Sequence, residues 1–254
     1  MLNSISNRFP NGLGNDSGEL GHNIMVHHLS VGAGGEVDGF EDQYYSGRRA
    51  NGVYIPRYRN VGKDKRDYIR GFGYQGGASR QGWNSLVAEM NIGADLKNAV
   101  AKPGKWSIGL GGFGEILPYH ENFVVINKDK KDKYGLPTLT FDAILRDNEL
   151  KMRKDMAADA DEMLDAAGFK NIQSFDREIG VGLGIHEMGT ARMGKDPKTS
   201  VLNKWNQVHA CKNVFVTDGS FMTSAACHNP SLGYMAFTAR AVDFAVNELK
   251  KNNL

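Results

Sequence analysis

The stretch His186-Glu187-Met188-Gly189-Thr190-Ala191-Arg192-Met193-Gly194 puts a histidine on a glycine-bearing turn. Two further pieces follow it. Val214-Phe215-Val216-Thr217-Asp218-Gly219-Ser220 reads as a short buried strand ending in Asp-Gly. His228-Asn229-Pro230-Ser231-Leu232 reads as the start of a helix, with Asn and Pro at its entrance. Residues 230–250 supply that helix. Leu232, Met235, Ala236, Ala239, Val242, Ala245, Val246 and Leu249 recur every three or four positions and are expected to face inward. Lys250 and Lys251 sit at its C-terminal end, where cations suit the helix dipole.

Working back along the chain, residues 147–167 read as a second helix. Asp147 or Asn148 can cap it, and Gly168 stops it. Leu150, Met152, Met156, Ala160, Met163, Leu164 and Ala167 form its apolar face, with the methionines as core filling. Residues 169–185 are a glycine-rich approach to His186. Strand signals lie at 52–58, 68–74, 106–110, 123–126 and 138–141, where β-branched and aromatic residues gather. Residues 84–100 read as a helix, and the charged run 127–133 as a solvated turn. The sum is an antiparallel sheet with helices on one face. Residues 1–28 are loop-rich, with Phe9-Pro10-Asn11-Gly12-Leu13-Gly14-Asn15-Asp16-Ser17-Gly18 as a run of turn formers.

Composition removes several alternatives. At 254 residues the chain can bury a sizeable core in one large or two modest domains. A net charge of +2 gives no electrostatic case for nucleic acid or an anionic membrane. No apolar run approaches the length of a membrane span, and the first residues lack the apolar stretch of a signal peptide. Two cysteines, Cys211 and Cys227, make no disulfide framework and no metal spacing. Two free thiols are the expectation.

Two stretches match G-x-G-x-x-G: one at 71–76, the other at 109–114. A dinucleotide fingerprint requires the glycines to end a strand and open a helix. Pro118 follows the second motif, and more glycine follows the first, so both read as glycine-bearing strands lining a cavity. His27 and His28 are adjacent, so on a strand they point to opposite faces and make no metal pair. No metal site is expected. His22, His120 and His209 read as surface or loop histidines.

The three C-terminal pieces, in that order and with Asn229 43 positions after His186, resemble the C-terminal signature of the glucose–methanol–choline (GMC) family of FAD-dependent oxidoreductases. The run at 9–18 is similar to a segment that lies mid-chain in that family. The resemblance covers nearly the whole chain and is most specific beyond residue 180. It implies a GMC-type α/β fold with an α+β substrate domain. It further implies that the chain is the C-terminal part of a longer protein, the N-terminal dinucleotide-binding unit being absent. On this reading 1–28 end an FAD-domain segment, 29–175 form the substrate-binding domain, and 176–254 return to the FAD-binding domain.

The chemistry agrees with the resemblance. Oxidising an alcohol removes a proton from oxygen and a hydride from carbon. The proton needs a base near neutrality, for which histidine suits. The hydride needs a cofactor, here FAD. The developing alkoxide needs a placed donor, which an amide supplies. His186 and Asn229 match the family's catalytic pair. Asp218, Gly219, Asn229, Pro230 and Leu232 match its flavin-contacting positions, with Gly219 letting the backbone come close and the helix N-terminus favouring negative charge. Gln75, Glu115 and His228 are candidates on the substrate side. Each has an ordinary structural reading too: a histidine satisfied in a turn, an asparagine N-cap, an Asp-Gly turn, a plain sheet position, a solvent-facing loop histidine. The branches it resembles, gluconate-dehydrogenase-like and glucoside-3-dehydrogenase-like, imply a sugar or polyol substrate, a dehydrogenase, an electron-acceptor protein as possible partner, and a cytoplasmic or periplasmic location. The alternative is a non-catalytic fragment or binding module of such an enzyme.

Overall fold

The computed structural model describes residues 1–42, 52–80, 93–101 and 104–254. Two compact units divide the chain: one holds 1–28, 114–150 and 179–254, the other 29–113 and 151–178.

The second unit is built on a sheet in the order β2-β3-β4-β1-β7. Its strands are β1 (Val31–Val37), β2 (Gly52–Ile55), β3 (Phe72–Arg80), β4 (Trp106–Gly114) and β7 (Lys170–Asp176). β1 pairs antiparallel with both β4 and β7. Both G-x-G-x-x-G stretches lie along continuous strand rather than at a strand-to-helix turn, β3 carrying one and β4 the other. Their glycines serve the packing of backbones: a methyl placed on Gly76 would lie 2.2 Å from the Gly109 carbonyl oxygen.

Helix α1 (Ala94–Val100) covers the end of the expected 84–100 helix, and 84–92 lie outside the described residues. Helix α2 (Asp147–Ala166) lays Met152, Met156, Ala160 and Leu164 on Val31, Ala33, Phe72, Tyr74 and Leu110. Each large apolar side chain so buried contributes about 2 kcal/mol. A polar network fastens the helix. Asp159 accepts from Arg59 Nη2 at 2.5 Å, from the Tyr74 hydroxyl at 3.0 Å and from the Tyr58 hydroxyl, while the Tyr68 hydroxyl donates to Asp155 at 2.6 Å. Burial first, and then these carboxylates, raise the pKa of all three tyrosines, so the phenols stay protonated donors.

Several expectations shift. Leu150 is half exposed rather than on the apolar face of α2. β1 and β7 were not expected as strands: Val-Gly-Ala-Gly-Gly-Glu-Val is too glycine-rich to read as one from propensity, and the pairing of β1 with its two neighbours makes it a strand nonetheless.

The first unit holds the antiparallel hairpin of β5 (Phe123–Lys131) and β6 (Pro137–Asp142), and the short pair β8 (Gln207–Val208) and β9 (Cys211–Phe215). The charged run expected as a turn is strand as far as Lys131, its side chains mostly in solvent. The span 29–175 was expected as one domain, but 114–150 group with the first unit. The cause is backbone bonding to the N-terminal segment: Val124 N donates to Gly21 O at 2.8 Å and Ile24 N to Asn122 O at 3.1 Å.

The last helix, α3 (Ser231–Lys250), corrects the sequence reading most. Leu232, Met235, Val242, Val246 and Leu249 are exposed. The packed face is Tyr234, Phe237, Ala241 and Phe244: the Phe237 ring lies 5.0 Å from that of Phe221, and Phe244 stacks on Trp205 at 4.8 Å. Two apolar stripes interleave on this helix, each at three-and-four spacing, and periodicity alone cannot choose between them.

Candidate active site

The site is assembled in the first unit by backbone pairing around the His186 turn. On one side, Met25 and Met188 exchange both backbone bonds at 2.9 Å, and Gly21 N donates to Thr190 O at 2.8 Å. On the other, Ala191 N donates to Ser220 O at 2.9 Å and Gly189 N to Gly219 O at 3.3 Å. The Glu187 carboxylate braces the turn from within, accepting from Gly184 N at 2.9 Å and Ile185 N at 3.1 Å. Ile185, immediately before the histidine, is held at φ 62°, a conformation a β-branched residue rarely adopts.

His186 is buried, and both ring nitrogens have close polar neighbours. Nδ1 lies 2.8 Å from Nδ1 of His27, and Nε2 lies 3.5 Å from Nδ2 of Asn229. Burial lowers the His186 pKa, partly opposed by the Glu187 charge, so the imidazole is neutral at pH 7. Burial also pushes His27 down, to about 4, the Ala225 carbonyl opposing.

The structure therefore brings His186 and Asn229 together. Pro230 is buried at the N-cap of α3, one position earlier than expected, with its carbonyl accepting from Tyr234 N at 3.0 Å. Asp218 caps a short 3₁₀ turn, Gly219–Phe221, through Ser220 N at 2.9 Å. Gly219 is also needed for a contact within the chain. A methyl there would lie 2.4 Å from Glu187 O and 2.5 Å from the Tyr234 hydroxyl, so the close approach it permits is to the protein itself. Leu232, expected to contact a cofactor, is 78% exposed in this structure. His228 is exposed, its Nδ1 3.6 Å from Cys227 Sγ. Glu115 is buried and bridged through its backbone to His27. Gln75 lies on β3 of the second unit, paired in register with Tyr54. The residue that sequence reasoning missed is His27. It was dismissed as half of a metal pair, and only the similarity of 9–18 to a family segment hinted that the N-terminal stretch belongs at the site.

The chain is similar to several known proteins. Residues 118–238 match the family model described as GMC oxidoreductase. The chain is 29% identical to 2-methyl-1,2-propanediol dehydrogenase of Mycolicibacterium austroafricanum, over 96% of this chain and 45% of that protein. It is 27% identical to the fructose dehydrogenase large subunit of Gluconobacter japonicus, over 99% of this chain and 45% of that one. Among solved structures, formate oxidase of Aspergillus oryzae RIB40 aligns over 93% of this chain and 48% of that chain, with a TM-score of 0.56 at 16% identity, a likeness of fold. These relatives are, by name, dehydrogenases of a diol and of a sugar, and the α/β architecture is shared with the solved oxidase. The GMC oxidoreductase match takes in a little under half of this chain, and the chain spans a little under half the length of these relatives.

GMC oxidoreductases bind FAD, and the residues here fit such a group. A groove of about 770 Å³ runs along Glu187, Thr190, Ala191 and Thr217 to Ser220, within the ~300–1,000 Å³ usual for small-molecule sites. α3 begins at Ser231, next to Asn229 and Pro230, and a helix start offers unpaired N–H groups and the positive end of its dipole.

Proposed function

We propose that this chain carries the proton-transfer part of an FAD-dependent oxidation of a CH–OH group, with a sugar or polyol as the alcohol. The observation that carries the reading is the buried His186 ring with Nε2 converging on the Asn229 amide. His186, neutral at pH 7, accepts the hydroxyl proton. The Asn229 amide donates to the oxygen as negative charge grows on it. FAD, when bound, supplies the hydride acceptor. Residues 217–220 and the first turn of α3 would hold it, the helix N-terminus favouring negative charge on the bound group. The second unit is read as the substrate-binding part.

The names of the relatives support the substrate class, one being a diol dehydrogenase and the other a fructose dehydrogenase. The latter is called a large subunit, which supports a partner protein as electron acceptor here as well. Screening the full-length protein against sugars, polyols, choline and steroids with a dye acceptor tests the reading. Turnover of a sugar or polyol is expected. Activity confined to choline or steroids removes the sugar assignment, and absence of flavin bleaching with every alcohol removes the redox reading altogether.

A further inference from the structure

The tautomer of His186 follows from the neighbour it touches. A backbone carbonyl has no proton to give, so in the 3.0 Å contact between His27 Nε2 and Ala225 O it is the ring nitrogen that donates. A neutral imidazole has a single N–H. With that proton on Nε2, Nδ1 of His27 is an acceptor. Nδ1 of His186, 2.8 Å away, must then be the donor. The remaining nitrogen of His186, Nε2, carries a lone pair, and it is this atom that converges on Asn229. We propose that His27 is a positioning residue that locks His186 in its Nδ1–H tautomer and so presents Nε2 as the base. This rests on the reading of His186 as the proton acceptor, but the tautomer itself can be measured without it.

The arrangement is built rather than incidental. Both rings are buried and meet edge-on, with centroids 4.9 Å apart at 84°. The reciprocal Met25–Met188 bonds hold the two chain segments in the register that makes the rings meet. His27 is kept neutral by its burial. It therefore does not compete for the proton that His186 takes. A carboxylate in its place would orient the ring equally but would raise His186 basicity through its charge. A neutral imidazole orients without that shift. When Nε2 of His186 gains a proton, the Nδ1–H bond to His27 persists, so the ring does not turn during proton transfer.

The test is ¹⁵N NMR of residues 1–254 with labelled histidine, above pH 7. The expected spectrum has His186 protonated at Nδ1 and bare at Nε2, and His27 protonated at Nε2. A His186 protonated at Nε2 overturns the proposal without any mutation. Two variants sharpen it. His27→Leu has no acceptor, and its His186 should become predominantly Nε2–H. His27→Asn keeps an acceptor oxygen at similar reach, and its His186 should stay Nδ1–H. An unchanged tautomer in a folded His27→Leu chain overturns the proposal. In the full-length enzyme the Leu variant should lose about 10-fold or more in kcat, the direction known for a catalytic histidine held in the wrong tautomer, and the Asn variant should recover most of it. A shifted tautomer with unchanged kcat would instead remove His186 as the base, a failure of the functional reading distinct from that of the tautomer lock.

Discussion

The Asn229 amide nitrogen sits 3.5 Å from His186 Nε2, although the two lie 43 positions apart in sequence. The distance is long for a hydrogen bond. It brings an amide donor and an imidazole acceptor to one place, the two groups that the proposed proton abstraction uses.

On the proposed mechanism, replacing His186 should be costly. His186→Ala in the full-length enzyme is expected to slow flavin reduction by roughly 100-fold or more, the scale of losing general-base catalysis. Stopped-flow reduction at saturating substrate checks this, and an unchanged rate would take His186 out of the chemistry.

Acid should weaken this fold through His27. Its folded pKa, about 4, lies below the ordinary 6.5, so between those values the unfolded chain binds a proton that the folded chain refuses. The stability this group contributes is fully present above about pH 6.5 and is lost as the pH falls toward 4. Full loss amounts to roughly 3 kcal/mol. His186, shifted in the same direction, adds to the slope. Urea midpoints at pH 7 and pH 4.5 should show the fall, and His27→Asn should flatten it. A variant with the same slope as wild type would mean that other groups govern the acid transition.

In the second unit, Asp159 is the acceptor that three donors share. Asp159→Ala leaves those donors, of which Tyr74 is fully buried, without their carboxylate and should cost about 3 kcal/mol. Tyr58→Phe removes one donor and should cost about 1 kcal/mol. Chemical denaturation of the two variants would order them, and equal small losses would show that Asp155 compensates.

The two stripes of α3 should respond oppositely to substitution. Val242→Glu and Met235→Glu fall on exposed positions, so stability should stay within about 0.5 kcal/mol while binding of an apolar fluorescent dye drops. Ala241→Leu falls on the packed face, 1% exposed, and should cost about 2 kcal/mol by overpacking. Melting temperatures in the reverse order would mean that the helix presents its other face to the unit.

What could be read from the sequence was local or marked by motif. The α2 periodicity named Met152, Met156, Ala160 and Leu164, and all four are buried. The rejection of the glycine motifs as dinucleotide fingerprints needed only the residues that follow them, and both lie along strands. The pairing of His186 with Asn229 came from motif order and spacing. The antiparallel sheet was legible from its β-branched runs, but β1 was not, because glycine gives no strand signal until neighbouring backbones supply one.

Other features depended on contacts between distant segments. Which stripe of α3 is packed is settled by the Phe221 and Trp205 rings, residues outside the helix, since both stripes satisfy the same period. Gly219 is demanded by Glu187 O and the Tyr234 hydroxyl, which no local pattern predicts. His27 lies 159 residues from His186, and adjacency to His28 gave it only a metal reading to reject. Its place follows from the bonds between Met25 and Met188, which set two remote segments in register. Sequence determines which side chains carry chemistry. The tertiary pairing decides which of them touch, because hydrogen-bond direction and burial exist only once distant segments have met.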